Sequence, residues 1–219
     1  MSKVLALLDW KSSKFISPEF RMQLSSYGKA CEQPPTLQAL IQITEEHCKP
    51  VLVMDEFASE QAYKAFENAK AVFDYLRSLG AINVPANEAY RCEIDGKEEY
   101  LPSVTYILQH VVAKPGLLGW YAKMAREGKD PVKYRDSRAA DGTKLHKAIH
   151  MILEGKDVDE TNAPEWLKNS LKHFRAWKEE SGFEPIWMEK KLFNKQLRYA
   201  GTADTLGWIN PEALKKEAH

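Results

Sequence analysis

Residues 3–10, KVLALLDW, form a short apolar run that is followed by Lys11 and by the Ser12–Ser13 pair. An apolar run of this length, ended by polar residues, predicts a buried β-strand. Because side chains alternate along a strand, Asp9 and Lys11 point to the same face. A carboxylate and an ammonium group at the end of a buried strand form either a surface ion pair or part of a site, and the D-x-K spacing alone favours the ion pair.

The rest of the chain has the pattern of a mixed α/β protein. Ser17 is the expected N-cap of a helix over residues 18–32, with Pro18 in its first turn and the Pro34–Pro35 pair as its stop. Further helices are predicted over residues 58–79, 103–112, 115–126, 137–154 and 163–181, strands over 37–43, 50–55, 185–193 and 196–209, a β-hairpin around Asp95–Gly96, and a short helical turn in the tail 211–219.

A second acidic residue, Asp204, ends the sequence Gly201-Thr-Ala-Asp in an otherwise apolar strand. Gly201 and Thr202 are expected to bend or bulge this strand. A carboxylate followed by Leu206 is costly to bury unless it is paired or bound to a metal. Capping of a turn is the alternative interpretation of Asp204.

Three further polar features complete the candidate set. Gln23 and Tyr27 are four residues apart and share one face of the first helix. His146, in the sequence GTKLH, is expected in the first turns of a helix. Glu189 lies in the strand that leads to Gly201. Each feature alone is more often structural than functional.

Together, these stretches resemble the RecB-type branch of the PD-(D/E)XK nucleases, which includes the RecB nuclease domain, the nucleases of CRISPR adaptation and the mitochondrial genome maintenance exonuclease. The matching stretches are GTKLH (142–146), the strand with Glu189, GTAD (201–204), DWK (9–11), QLSSY (23–27) and LPSVTYILQHVVAKPGLLGWYAK (101–123). The resemblance implies a restriction-endonuclease-like core, with a central mixed sheet flanked by helices.

The order of these motifs departs from the family. In the family the histidine helix and the GxxD strand precede the D-x-K strand and the Q-x-x-x-Y helix, whereas here residues 1–80 carry the latter pair and residues 81–219 the former. The chain therefore resembles a circular permutant that folds as one nuclease-like domain over residues 1–219. Permutation predicts that the strand ending near Ile209 pairs with the strand beginning near Lys3, and that residues 80–100 join the family's usual end to its usual start. A monomer is favoured, with a domain-swapped dimer as the alternative.

The resemblance also implies roles for individual residues. Asp204, Asp9, the carbonyl of Trp10 and His146 would bind Mg²⁺ or Mn²⁺, with the histidine favouring Mn²⁺. Lys11 would orient the attacking water or help to deprotonate it, and the second of these roles needs a lowered pKa. The remaining catalytic candidates are Gln23 and Tyr27, which would position the water, Lys11 or the DNA backbone, and Glu189, which would support the metal's water shell.

The implied function is a metal-dependent DNA nuclease, expected to be an exonuclease that acts on single-stranded DNA or on DNA ends. Bases would stack on aromatic side chains such as Trp10, Tyr121, Phe174 and Trp177, although aromatics at helical or strand spacing usually belong to the core. Cleavage polarity and the choice between exonuclease and endonuclease activity stay open. A non-catalytic DNA-binding or interaction module is the alternative function.

Bulk properties are compatible with these expectations and narrow the alternatives. The net charge is zero, which argues against coating nucleic acid through charge alone. Three scattered cysteines argue against structural zinc or a disulfide framework, and the absence of a long apolar run predicts a cytoplasmic chain without a membrane span. His146 and His150 have a zinc-like spacing but lack the H-E-x-x-H glutamate, and VLVMDE (51–56) resembles a Walker B strand without any phosphate-binding loop.

Overall fold

The computed structural model describes residues 2–13 and 16–215. The strands are β1 (Val4–Lys11), β2 (Leu37–Ile43), β3 (Cys48–Met54), β4 (Ala89–Ile94), β5 (Lys97–Pro102), β6 (Glu184–Asn194) and β7 (Tyr199–Ile209). The helices are α1 (Glu19–Ala30), α2 (Glu56–Ser78), α3 (Val104–Val111), α4 (Pro115–Arg126), α5 (Pro131–Leu153), α6 (Glu165–Ser181) and α7 (Glu212–Lys215), with a 3-10 turn at Ala86–Glu88.

Five strands form a mixed central sheet in the order β3-β2-β1-β7-β6. The pair β1–β2 is parallel, and the other neighbours are antiparallel. Val4 is the register partner of Ile209, so the strands at the two ends of the chain pair as the permuted order predicts. The coarse prediction of a mixed sheet flanked by helices is therefore confirmed.

Alternation along β1 divides the core into two layers. Leu5 and Leu7 pack with residues of α1, α2 and α3, whereas Leu8 and Trp10 pack with residues of α5 and α6. Each of these four side chains is at most 3% exposed. Burial of a large apolar side chain contributes about 1.5–3 kcal/mol, so both layers hold β1 firmly in the middle of the sheet.

The predicted hairpin around Asp95–Gly96 forms from β4 and β5. Asp95 and Gly96 have φ values of 51° and 73°, as a tight hairpin turn requires at both central residues. The hairpin lies over β7, where the hydroxyls of Tyr90 and Thr202 are 3.0 Å apart.

Two helix starts differ from the sequence prediction. Helix α5 begins at Pro131 rather than at residue 137, because Asp130 caps it by accepting hydrogen bonds from the N–H groups of Val132 and Lys133. His146 consequently lies well inside α5 and not in its first turns. At α1, Ser17 is not the N-cap; its hydroxyl donates to Glu19 instead, at 2.6 Å.

The remaining predicted elements agree with the structure apart from shifts of a few residues at their ends. The segment resembling a Walker B strand is the edge strand β3, and its Asp55 caps α2 by accepting a hydrogen bond from Ala58 N–H at 2.8 Å. The predicted tail helix is α7, and residues 216–219 lie outside the described residues. Within residues 2–13 and 16–215, none of the helices has the length and hydropathy needed to cross a membrane.

Candidate active site

The candidate residues meet where β1 and β7 diverge. The ladder between these strands ends at the pair Leu8–Thr205. Beyond that pair, Asp9 to Lys11 continue along β2, and residues 199–204 of β7 continue along β6, with an isolated parallel bridge between Ala200 and Ser103. The backbone groups of β1 that face β7 therefore lose their strand partners, and side chains take their place.

Asp204 fills this fork. One of its carboxylate oxygens, Oδ2, accepts a hydrogen bond of 2.8 Å from the backbone N–H of Trp10. The carboxylate thus replaces the next rung of the ladder and ties the two strands together. This contact explains why a charged residue is tolerated in a strand that is otherwise apolar.

The strand β7 changes face at this point. Tyr199 and Ala203 pack in the same core layer as Leu206, which breaks the period of two between Ala203 and Leu206. The register places Glu189 of β6 opposite Asp204, and Glu189 has a φ of 45°, in the left-handed region that favours glycine. The irregularity expected from Gly201 and Thr202 is thus present, but it is centred on Asp204 and Glu189.

Asp9 and Lys11 form a buried ion pair on the α1 side of the sheet. Lys11 Nζ lies 2.8 Å from Asp9 Oδ2, and the two side chains are 19% and 7% exposed. The same ammonium lies 4.5 Å from the centre of the Phe20 ring of α1. Asp9 Oδ2 makes no hydrogen bond within the described part of the chain, so the Lys11 ion pair is its principal compensation.

Charges in the fork are strongly coupled. Burial raises the pKa of Asp204 well above its ordinary value, and the nearby Asp9 charge raises it further. Burial acts to lower the pKa of Lys11, but the Asp9 carboxylate outweighs burial and the net pKa is raised. A lowered pKa, which the general-base role of Lys11 requires, is therefore not found; Lys11 is a charged donor.

His146 reaches the fork from α5, on the opposite side of the sheet. Its Nε2 lies 3.0 Å from the carbonyl oxygen of Trp10, so Nε2 carries the proton in this contact. Its Nδ1 lies 3.8 Å from Asp204 Oδ2. Burial lowers the pKa of His146, which favours the neutral ring that metal binding requires.

Gln23 and Tyr27 share one face of α1, as predicted, and Gln23 Nε2 donates to the Tyr27 hydroxyl at 3.0 Å. Tyr27 is only 4% exposed, and burial raises its pKa. Its ring lies so close to Gly201 that a Cβ there would be 2.4 Å from Tyr27 Cε1. In this structure Tyr27 therefore positions β7, and the DNA backbone has no access to it.

Glu189 lies on the outer side of the fork. Its Oε1 is 3.5 Å from His150 Nδ1, and its side chain is 59% exposed. A cavity of about 560 Å³ beside it is lined by His146, His150 and Glu189 and by residues of α5. Glu189 thus contacts a second histidine of α5, and it acts on Asp204 through its charge alone.

The donors in the fork fit a hard divalent cation in their chemistry, since two carboxylates, a carbonyl and an imidazole are present. Burial and the Asp9 charge raise the pKa of Asp204, so a second negative charge in the fork is disfavoured unless a cation offsets it. However, no three His, Cys, Asp or Glu residues within ranges 2–13 and 16–215 are grouped as a preformed metal site. The fit therefore rests on two carboxylates with the Trp10 carbonyl, and metal binding needs a shift of side chains.

The structure corrects most of the stacking candidates. Trp10, Phe174 and Trp177 are 1%, 0% and 6% exposed and pack edge-to-face or stacked with one another. They form the core between β1 and α6, so they are unavailable to bases. Tyr121 of α4 keeps partial exposure.

No family model, curated protein or solved structure matches this chain. The resemblance to the RecB-type nucleases thus stays a prediction from the motifs.

Sequence reasoning missed two residues near the fork: Phe20, which supports the Lys11 ammonium, and Gln42 of β2, which is the register partner of Lys11. It considered His150 only for a zinc-like spacing with His146, whereas His150 lies beside Glu189. Gln42 carried a signal, because a buried amide in an apolar strand needs a partner, and its Nε2 donates to Ser13 O at 2.6 Å. The role of Phe20 had no signal in the sequence.

Proposed function

We propose that this protein is a metal-dependent DNA nuclease that hydrolyses phosphodiester bonds at the fork between β1 and β7. The observation that carries the proposal is the meeting of Asp9, Lys11 and Asp204 at one strand end, after separations of up to 195 positions along the chain. Burial of two carboxylates beside one lysine is costly, because each carboxylate loses its hydration, and a bound cation would offset that cost.

Asp9, Asp204 and the carbonyl of Trp10 would hold Mg²⁺ or Mn²⁺, with His146 as a further ligand. When bound, the cation would neutralise phosphate charge and favour ionisation of a water molecule. In the structure Asp204 accepts a hydrogen bond from Trp10 N–H, and His146 donates to the Trp10 carbonyl. Contacts with the cation would replace part of these hydrogen bonds.

Lys11 would bind the scissile phosphate as a charged donor. Its ammonium is held by Asp9 on one side and by the Phe20 ring on the other, so it keeps a fixed direction. Its raised pKa keeps the proton in place at neutral pH. Loss of one such positioned donor typically lowers kcat by about 10²–10³-fold.

Gln23 and Tyr27 would position other groups of the site. Tyr27 keeps β7 at its distance from α1, and Gln23 fixes the Tyr27 hydroxyl and is itself partly exposed. Gln23 is the member of this pair that would reach a water molecule or a phosphate. Single-stranded DNA or DNA ends are the proposed substrates, and an exonuclease is the proposed mode.

The test is hydrolysis of end-labelled single- and double-stranded DNA with Mg²⁺, with Mn²⁺ and with EDTA. The purified protein is compared with Lys11→Ala and Asp204→Asn, and with Lys172→Ala on the exposed side of α6 as a matched control. We expect metal-dependent hydrolysis that both site variants lose by at least about 10²-fold and the control retains. Equal hydrolysis by all four proteins would contradict the proposal, since the activity would not come from the fork.

A non-catalytic DNA-binding module is the second candidate, and one observation favours it. The donor atoms of Asp204 and Trp10 in the fork have protein partners, and no ready-made metal site is grouped within the described residues. This candidate expects DNA binding without hydrolysis under any metal condition. Mn²⁺ binding measured by calorimetry separates the two, because only the nuclease proposal expects Asp9→Asn to abolish it.

A further inference from the structure

Helix α4 and the first turn of α5 carry an aromatic cluster that the core does not use. Trp120 lies 5.1 Å from Tyr121 and 6.3 Å from Tyr134, measured between ring centres. Tyr134 is 48% exposed, and Trp120 and Tyr121 are partly exposed. Among the side chains of α4 that the structure describes, Met124 alone is buried. The cluster therefore faces solvent along much of its surface.

The same segment is basic, although the whole chain is neutral. Residues 113–141 contain seven lysine and arginine residues and four acidic residues, which gives a net charge of +3. Arg126 and Lys133, which lie between Tyr121 and Tyr134 in the sequence, take part in no ion pair with another described residue. Exposed aromatic rings among unpaired cations favour a ligand that offers both flat apolar faces and negative charge.

Helix α5 connects this cluster to the fork. Gly142 passes close to the end of β1, since a Cβ there would lie 3.3 Å from Ser12 Oγ. Arg135, Gly142 and His146 share one helical face, given 3.6 residues per turn. Tyr134 lies twelve positions before His146, which corresponds to about 18 Å along the helix. That distance is spanned by a few nucleotides of an extended strand.

We propose that Trp120, Tyr121 and Tyr134 form a stacking platform for single-stranded DNA, which α5 guides toward the fork. The inference rests on the proposed nuclease function and names the surface that would select the substrate. Unpaired bases expose their faces to such rings, whereas bases in a duplex are stacked on each other, so the platform favours single strands. Arg126 and Lys133 would contact the phosphates.

The test measures binding separately from hydrolysis. Fluorescence anisotropy in EDTA follows a labelled oligothymidylate of about 12 nucleotides, a length within the range that single-strand binding surfaces occupy. A duplex of the same length is measured in parallel. The variants are Trp120→Ala, Tyr134→Ala and the conservative Trp120→Phe, with Tyr75→Ala as the control because Tyr75 is a 64% exposed aromatic on the distant helix α2.

We expect Trp120→Ala and Tyr134→Ala each to weaken single-strand binding about tenfold, in line with the loss of one stacked base. Trp120→Phe should keep most of the affinity, Tyr75→Ala all of it, and duplex binding should change little. Unchanged single-strand affinity in both alanine variants would overturn the inference. Equal losses for single strand and duplex would also overturn it, because charge alone would then explain binding.

Two further measurements keep the inference separate from the proposed function. Hydrolysis of the same oligothymidylate with Mn²⁺ is measured on the unmodified protein and on Trp120→Ala, so a lack of hydrolysis with intact, platform-dependent binding would refute the nuclease and retain the platform. Analytical ultracentrifugation of Trp120→Ala tests whether a second copy of the chain covers the cluster. A change from dimer to monomer in that variant would overturn the platform in favour of self-association.

Discussion

Asp204 Oδ2 and the backbone N–H of Trp10 are joined by a 2.8 Å hydrogen bond across 194 positions of sequence. This bond closes the fork in which β1 leaves β7, and the other candidate groups lie around it. Asp9 and Lys11 project from the strand on one side of Trp10, and His146 approaches the Trp10 carbonyl from the other. A change at Asp204 therefore affects stability and chemistry together.

Asp204→Asn should stabilise the metal-free protein at neutral pH. An asparagine keeps an oxygen acceptor for Trp10 N–H and removes a charge that burial disfavours. Because the pKa of Asp204 is raised in the folded protein, its stabilising contribution is complete below the unfolded pKa near 3.8 and is lost as pH rises through the folded pKa.

The measurement is the melting temperature in EDTA from pH 4 to pH 8. The unmodified protein should lose stability on the alkaline side of this range relative to Asp204→Asn, whose profile should be flatter. Mn²⁺ should raise the melting temperature of the unmodified protein and not that of the variant. A lower melting temperature for Asp204→Asn at pH 8 in EDTA would contradict this account of the fork.

Lys11→Ala should destabilise the fold as well as remove activity. The substitution leaves the 7%-exposed Asp9 side chain without its ion pair, and removal of one partner of a buried pair costs about 3–5 kcal/mol. Urea unfolding in EDTA measures the loss. The double variant Lys11→Ala/Asp9→Ala should recover part of it, because no unpaired charge then remains. If the two single losses simply add, the pair is not coupled and the ion-pair interpretation fails.

Gly201→Ala should destabilise the protein by about 1–3 kcal/mol, the usual cost of overpacking. The added Cβ would lie 2.4 Å from Tyr27 Cε1, so α1 and β7 must move apart. Gly119→Ala in α4 is the matched control, because no described residue beyond its own turn of helix lies within 4 Å of its added Cβ and alanine favours a helix by about 0.5–1 kcal/mol. The melting temperature should thus fall for Gly201→Ala and rise for Gly119→Ala. Equal melting temperatures would show that the Tyr27 ring moves aside without a cost in stability.

The sequence predicted most of the elements because their signals are local. Alternation and apolar runs indicate β1 and β7, and Asp95–Gly96 indicates the hairpin. One feature had no local signal, the left-handed Glu189, which lies opposite the change of face in β7. The early start of α5 did have a local signal, the Asp130 cap before Pro131, and the burial of Trp177 agrees with the usual place of aromatics at helical spacing.

The candidate site illustrates the same division. The pairing of β1 with β7 was predicted from the resemblance to a permuted nuclease, and the shared face of Asp9 and Lys11 was predicted from alternation. The sequence does not predict which protein atoms the candidate metal ligands contact. A hydrogen bond such as that of His146 to the Trp10 carbonyl depends on the height of α5 over the sheet. The direction of the Lys11 pKa likewise depends on whether burial or Asp9 dominates, which only the geometry decides.

Rearranging the chain into the motif order of the RecB-type nucleases should preserve the fold. A rearranged chain would run from residue 81 to 215, continue through a flexible Gly/Ser link of about eight residues, and end with residues 3–80. Val4 and Ile209 are register partners, so the link joins neighbouring strands, and the new ends lie at the exposed Gly80 turn, where φ is 71°.

We expect the rearranged chain to have the same circular dichroism spectrum, cooperative unfolding, and metal response of the melting temperature as the unrearranged chain. A control chain opened between Leu40 and Ile41, within the buried strand β2, should fail to fold. Failure of the chain opened at Gly80, under conditions where the natural order folds, would argue against the permuted nuclease architecture.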